Sequence, residues 1–256
     1  MKKPAPAPEP PAESHLQSIA SLCTTLVTGL FVLTFIFQNF AIPSASMAST
    51  LLVGDHVIVD RASLAPPASG PHILPYRPLR RGEPVVLFKP VLEPDGTNVI
   101  LVKRVIGLPG DRIHLRNGIV YLNGVAQHEP YAALPTAANW DAYRDDFPAM
   151  PPDRIPGVTP TWALDLPTHI QGEDLVVPPD SYFVMGDNRT ISLDGRYWGF
   201  AKRENLIGRP LFIYWSFITP DDQDKASFPD QVSFAVHQLT HFVSDTRWRR
   251  TFQIVR

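Results

Sequence analysis

A chain of 256 residues is long enough for one sizeable domain, with or without an inserted lobe. Its 23 basic and 25 acidic side chains leave a net charge of −2, which gives no electrostatic footprint for nucleic acid. A single cysteine excludes an intramolecular disulfide, and 28 prolines argue against long helices in any water-exposed part.

Residues 1–17, with Pro4, Pro6, Pro8, Pro10 and Pro11, read as an irregular, flexible cytoplasmic tail. No Asp, Glu, Lys or Arg occurs from residue 14 to residue 54, and the apolar run 18–38 predicts a transmembrane helix. About 20 helical residues span the ~30 Å hydrocarbon core, whereas the apolar region of a cleaved secretory signal is only ~7–15 residues. Length therefore favours a retained anchor. Lys2 and Lys3 precede the helix and the next cation is Arg61, so the positive-inside rule puts the N-terminus in the cytoplasm and residues 39–256 outside. Cys23, inside the helix, reads as a small packing residue.

Beyond the helix the pattern is mainly β. Strands are expected at 56–59, 85–88, 99–106, 181–185 and 211–215. Asn117-Gly118 and Asn123-Gly124 mark tight reversals, because both central residues of such a turn take positive φ. Residues 62–80, rich in Pro and Ala, read as a long surface loop. Residues 127–179 lose the alternating pattern and read as an inserted smaller lobe, with Trp140, Tyr143, Phe147 and Trp162 as its packing anchors.

Three short stretches could carry chemistry: Ser44-Ala45-Ser46-Met47 just past the helix, Lys103 through Asp111, and Gly186 through Phe200. Alternation puts Lys103 on one face of its strand with Leu101 and Val105, where burial would depress its pKa and let it accept a proton from a serine. The same alternation puts Arg104 among Ile100, Val102 and Ile106, so pattern alone leaves open which of the two cations points inward. Asp187, Arg189, Asp194 and Arg196 read equally well as loop ion pairs, worth little if exposed. The eight histidines show no metal-ligand spacing, and no Gly-x-Ser-x-Gly elbow occurs. No metal or cofactor is expected.

In this order behind an N-terminal apolar helix, the three stretches resemble bacterial type I signal peptidases. Lys103-Arg104-Val105-Ile106-Gly107-Leu108-Pro109-Gly110-Asp111 and Gly186-Asp187-Asn188-Arg189 are the most specific of them. The resemblance implies a serine–lysine dyad, with Ser46 as nucleophile and Lys103 as general base. It further implies Ser44 as an oxyanion donor, Ser192 as the residue orienting the lysine, and Gly186, Asp187, Arg104, Asp194 and Arg196 as structural support. Phe40, Ile42, Met47, Leu51, Leu101 and Val102 flank the dyad and are the apolar candidates for substrate pockets.

The implied enzyme is a single-pass protein of the bacterial cytoplasmic membrane with its catalytic domain on the outer face. It would cut secretory precursors after small residues, beside the translocation machinery. Ser49, Thr190-Ile191, Gly195 and Glu83-Pro84 depart from the family pattern without touching the dyad. Two other readings stay open: an inactive membrane-anchored binding or assembly protein, and a self-processing Ser-Lys protease.

Overall fold

A computed structural model describes residues 15–64, 77–221, 223 and 226–256. Residues 1–14 of the expected tail 1–17, with Lys2 and Lys3, and most of the 62–80 loop lie outside the described residues, while residues 15–17 are already helical. Helix α1 (His15–Phe31) continues through a π-helical turn, Val32–Ile36, giving 22 residues that are long and apolar enough to cross a membrane. At ~1.5 Å per residue this is about 33 Å. The helix ends at Ile36 and not Gln38, because Phe37–Ala41 is already strand β1, paired antiparallel with β2 (Asp55–Asp60). The anchor thus feeds directly into the sheet, with no free linker between them.

The main sheet has seven strands in the order β1, β2, β12 (Leu206–Ser216), β3 (Pro84–Phe88), β4 (Ile100–Gly107), β10 (Ser181–Met185), β11 (Ala201–Lys202). A second sheet of five runs β7 (Val125–Ala126), β6 (Ile119–Leu122), β5 (Arg112–Arg116), β9 (Asp174–Val176), β8 (Ile170–Gln171). Asn117 and Gly118 close the β5–β6 hairpin at φ 51° and 78°, the conformation that Asn-Gly admits most readily. The fold is mainly β, as expected.

Both faces of the main sheet are covered. Val85 and Leu87 enter one apolar cluster with Val105, Ile113 and Phe183, while Val86 between them enters another with Met47, Leu51 and Ile213. This is why the strand reads as an unbroken apolar run and not as an alternation. Residues 127–179 share the first cluster: Tyr143, Phe147 and Trp162 are buried there beside Phe183. Trp140 is 45% exposed and is not one of the anchors, because its turn lies on the surface ahead of the short helix α2 (Ala142–Asp145). The remaining short helices are α3 (Pro160–Asp165) and α4 (Gly195–Trp198).

Candidate active site

Ser46 is set by what lies on either side of it. Ile42, buried just past β1, is held by main-chain bonds to Asp55 and Gly54. The chain then passes in extended form through Ser44 into a 3₁₀ turn, Ala45–Met47, whose Met47 side chain is buried with Leu51. Two buried anchors fix the turn and leave the Ser46 side chain half-buried at the surface of the cluster. Ser46 Oγ lies 3.3 Å from Ser44 Oγ, and the Ser46 carbonyl accepts the Asn188 N–H at 3.0 Å. The N–H of Ser46 sits in the first turn of its helix, where no intrahelical acceptor exists.

Lys103 lies in β4 opposite Val85 and is 2% exposed. Arg104, its neighbour, is 1% exposed, so both cations point inward, one into each covered face. The Lys103 Nζ donates to Ser192 Oγ at 3.1 Å. Burial lowers its pKa from 10.5 to about 8; the nearby Asp194 and Asp187 carboxylates oppose that shift and Arg196 adds to it. Among the described residues Ser46 Oγ and Lys103 Nζ make no direct hydrogen bond. Their hydroxyl contacts are Ser44 for the first and Ser192 for the second.

Gly186 joins the two. It follows Met185, which pairs with Arg104, so it runs alongside Lys103. A Cβ there would sit 2.2 Å from Ser192 Oγ and 2.5 Å from the Ser46 carbonyl oxygen. Its N–H is held by Asp194 Oδ2 at 2.9 Å and its carbonyl accepts from Arg189 Nε at 3.1 Å. Only a residue without a side chain lets Ser46, Ser192 and the lysine strand close around this point. Gly186→Ala is expected to lower kcat about a hundredfold with KM little changed, as a displacement of about 1 Å would. Cleavage kinetics beside a circular-dichroism spectrum of the folded variant check this, and an unchanged kcat would refute it.

Three buried ion pairs frame the site. Arg104 grips Asp187 through two bonds of 2.7 and 2.6 Å, and Arg196 grips Asp194 at 2.9 and 2.8 Å. These are not the exposed loop pairs that the sequence equally allowed: Asp187, Asp194 and Arg196 are each 0% exposed. Asp194 keeps a pKa below the usual carboxylate range, because Arg196, Lys103 and the Gly186 N–H outweigh its burial.

The third pair, Arg189 to Glu129 at 2.7 Å twice, was missed from the sequence. In the sequence Arg189 groups with Asp187, Asp194 and Arg196 as local loop ion pairs, whereas its carboxylate lies sixty residues away in the irregular stretch 127–179. From the same stretch Tyr131 stacks under the Arg104 guanidinium, 3.8 Å from ring centre to Cζ. Ala133 donates to the Asp187 carbonyl and accepts from the Arg189 N–H. It is the burial of Arg189 that demands a carboxylate, and burial is decided by the tertiary fold, so no local sequence signal pointed to this segment.

Of the six pocket candidates, Phe40, Ile42, Met47, Leu51 and Val102 fall in one apolar cluster under the Ser46 turn. Leu101 packs against the other cluster, on the Lys103 side of β4. Ile42, Met47 and Leu51 are nearly sealed, so the accessible apolar surface of the cluster under the Ser46 turn belongs to Phe40 and Val102, while half-buried Leu101 lies on the Lys103 side of β4. Strand β10 pairs with β4 only from Arg104 onward, which leaves the Ile100–Lys103 edge of β4 without a strand on that side.

The family described as signal peptidase, peptidase S26, matches residues 15–215. A probable signal peptidase I-2 of Synechocystis sp. is 30% identical over 208 residues, covering 80% of this chain and 76% of the relative. Signal peptidase I of Leptolyngbya laminosa is 30% identical over 214 residues, with 82% and 84% covered. Signal peptidase I of Bacillus caldolyticus is 33% identical over 183 residues, with 72% and 82% covered. The match runs from the membrane helix through all three polar stretches around Ser46, and with it the chain belongs to the signal peptidase family, peptidase S26.

Proposed function

We propose that this chain is a membrane-anchored serine endopeptidase that removes N-terminal signal peptides from secretory precursors, with Ser46 as nucleophile and Lys103 as general base. The observation that carries the reading is the buried lysine. Its amine is desolvated to a pKa of about 8, bonded to Ser192, and walled in by the glycine whose other neighbour is the Ser46 main chain.

The precursor adds in extended form along the open edge of β4 before Lys103, held by main-chain hydrogen bonds. Phe40 and Val102, over the sealed Ile42, Met47 and Leu51, and Leu101 on the Lys103 side of β4 leave room only for small side chains before the cut. Ser46 attacks the scissile carbonyl as Lys103 takes its proton, after a movement that brings the Ser46 hydroxyl from Ser44 toward the amine; such bonds commonly tighten only with substrate in place. The Ser46 N–H and the Ser44 hydroxyl hold the developing oxyanion, where loss of one donor costs about 10²–10³ in rate. Lys103 then protonates the leaving amine, breaking the C–N bond and leaving an acyl-enzyme. Finally it activates the water that opens this ester.

The anchor is His15–Ile36, with the N-terminus cytoplasmic and residues 39–256 forming the peptidase domain on the outer face of the bacterial cytoplasmic membrane. Residues 127–179 are an insertion in that domain that braces the catalytic loop through Glu129, Tyr131 and Ala133. Precursors with small residues before the cleavage site are its substrates, delivered beside the translocation machinery.

Purified protein acting on an added precursor tests this. The base must be neutral to work, so the rate rises with pH through about 8 and levels off above it, with about a tenth of the lysine active at pH 7. A limb centred near 10.5, or no cleavage in trans, would overturn the reading; cleavage in trans excludes a protease that processes only itself.

A further inference from the structure

Helix α5 (Phe228–Thr240) is amphipathic in the wrong direction for a helix that only packs on its own domain. At about 100° per residue, Phe228, Val232, Val236 and Leu239 fall within one arc of about 80°. All four are exposed, Phe228 at 78% and Leu239 at 81%. The opposite side carries the residues that meet the domain. The Phe234 and His237 rings each lie 6.0 Å from the Phe217 ring, and Gln231 and Gln238 line a cavity with Ala41 and Pro43. The side bearing Phe234, His237 and the two glutamines is thus docked, and the wholly apolar stripe faces outward.

We propose that this stripe lies in the outer leaflet of the membrane, making α5 a second, interfacial contact beside the spanning helix. The place of α5 in the fold favours lipid over other occupants. Ala41, in the wall of that cavity, is the last residue of β1, which leaves the spanning helix at Ile36. Five strand residues reach at most about 17 Å, so α5 is tethered close to the point where the chain leaves the bilayer. The helix holds a single acidic residue, Asp230, and neither Lys nor Arg, so the stripe offers no charge with which to select a protein surface.

Its flank ends in aromatics, Phe242 packed edge-on against an exposed Trp248 at 5.7 Å, the residue types that settle at membrane–water interfaces. Thirteen residues give about 20 Å of helix, able to lie flat with one face about 5–10 Å into the headgroup boundary. This gives the catalytic domain a second contact with the bilayer beside the spanning helix, which fixes its tilt as well as its distance from the membrane.

The inference rests on the anchor reading of His15–Ile36 and not on the serine–lysine chemistry. Its test uses the full chain, reconstituted at one chain per phosphatidylethanolamine–phosphatidylglycerol nanodisc. A fluorescent label is placed at native Cys23 or, in a Cys23→Ala background, at Val232→Cys, Leu239→Cys or Ser233→Cys, with spin-labelled lipid as quencher. Labels at 232 and 239 are expected to be quenched at least about twofold more than the label at 233, approaching Cys23. Equal quenching at 232, 239 and 233 with Cys23 quenched overturns this inference alone. An unquenched Cys23 overturns the anchor as well. Quenching that needs two chains per disc assigns the stripe to a second copy and overturns it too. As a second readout, Val232→Asp with Leu239→Asp should raise KM for a bilayer-embedded precursor about tenfold and leave cleavage of a soluble peptide in detergent unchanged.

Discussion

Ser46→Ala and Lys103→Met are each expected to cut precursor cleavage by about 10⁴–10⁶-fold, and the double variant by no more than either alone. The reason for non-additivity is chemical: a nucleophile without its base, or a base without its nucleophile, performs neither half of the proton transfer. Single-turnover cleavage of a purified precursor measures it, with membrane insertion of each variant as the control. Retention of more than a hundredth of the parent rate by either variant would end the dyad assignment.

Stability gives the same lysine a second, independent signature. Its pKa is about 8 in the fold against 10.5 in the unfolded chain, so below pH 8 the fold carries a buried ammonium in full. Between about 8 and 10.5 the unfolded chain binds more protons than the folded one, and the parent gains stability as pH rises through that window. A shift of this size corresponds to roughly 3 kcal/mol. Lys103→Met should therefore be more stable than the parent at pH 7, with the gap closing toward pH 10.5. Denaturant titrations in detergent at several pH values read it directly. A gap that does not vary with pH would mean the amine is not desolvated.

Asp194→Ala is the second large effect. It strands the Arg196 guanidinium, fully buried, and removes the acceptor of the Gly186 N–H. Breaking one partner of a buried pair costs about 3–5 kcal/mol. It also removes a carboxylate that raises the Lys103 pKa, so any residual activity should show its pH limb displaced to the acid side. Because Asp194→Ala could unfold the domain, Asp194→Leu with Arg196→Met is the informative companion. Replacing both charges by apolar groups of similar volume is often close to neutral for stability. That double variant should fold yet remain impaired in kcat, since nothing then holds the Gly186 N–H in register. Full activity in the folded double variant would show that the pair serves stability only.

Much of this molecule was legible locally. Helix length is a property of consecutive residues, so the apolar run announced a helix long and apolar enough to cross a membrane to within a few residues of His15–Ile36. The Asn117-Gly118 turn was equally plain, because positive φ is a demand on two adjacent residues. The strands followed from runs of β-branched and aromatic side chains. The helix end was misread by two residues because Phe37 is as apolar as the helix, and only its pairing with Asp60 marks it as strand.

Sequence alone established an apolar anchor, a mainly β domain behind it, and, through resemblance, the family to which Ser46 and Lys103 point. Tertiary structure decided what those residues experience. A period-two pattern cannot tell a strand covered on one face from one covered on both, and here both faces are covered, so Lys103 and Arg104 are buried together. Nor can it say that Glu129 would meet Arg189 across sixty residues, or that Gly186 would be pressed between Ser192 and the Ser46 carbonyl. Burial, desolvation and ion pairing depend on which distant segments share a volume, and that is settled only when the chain closes on itself.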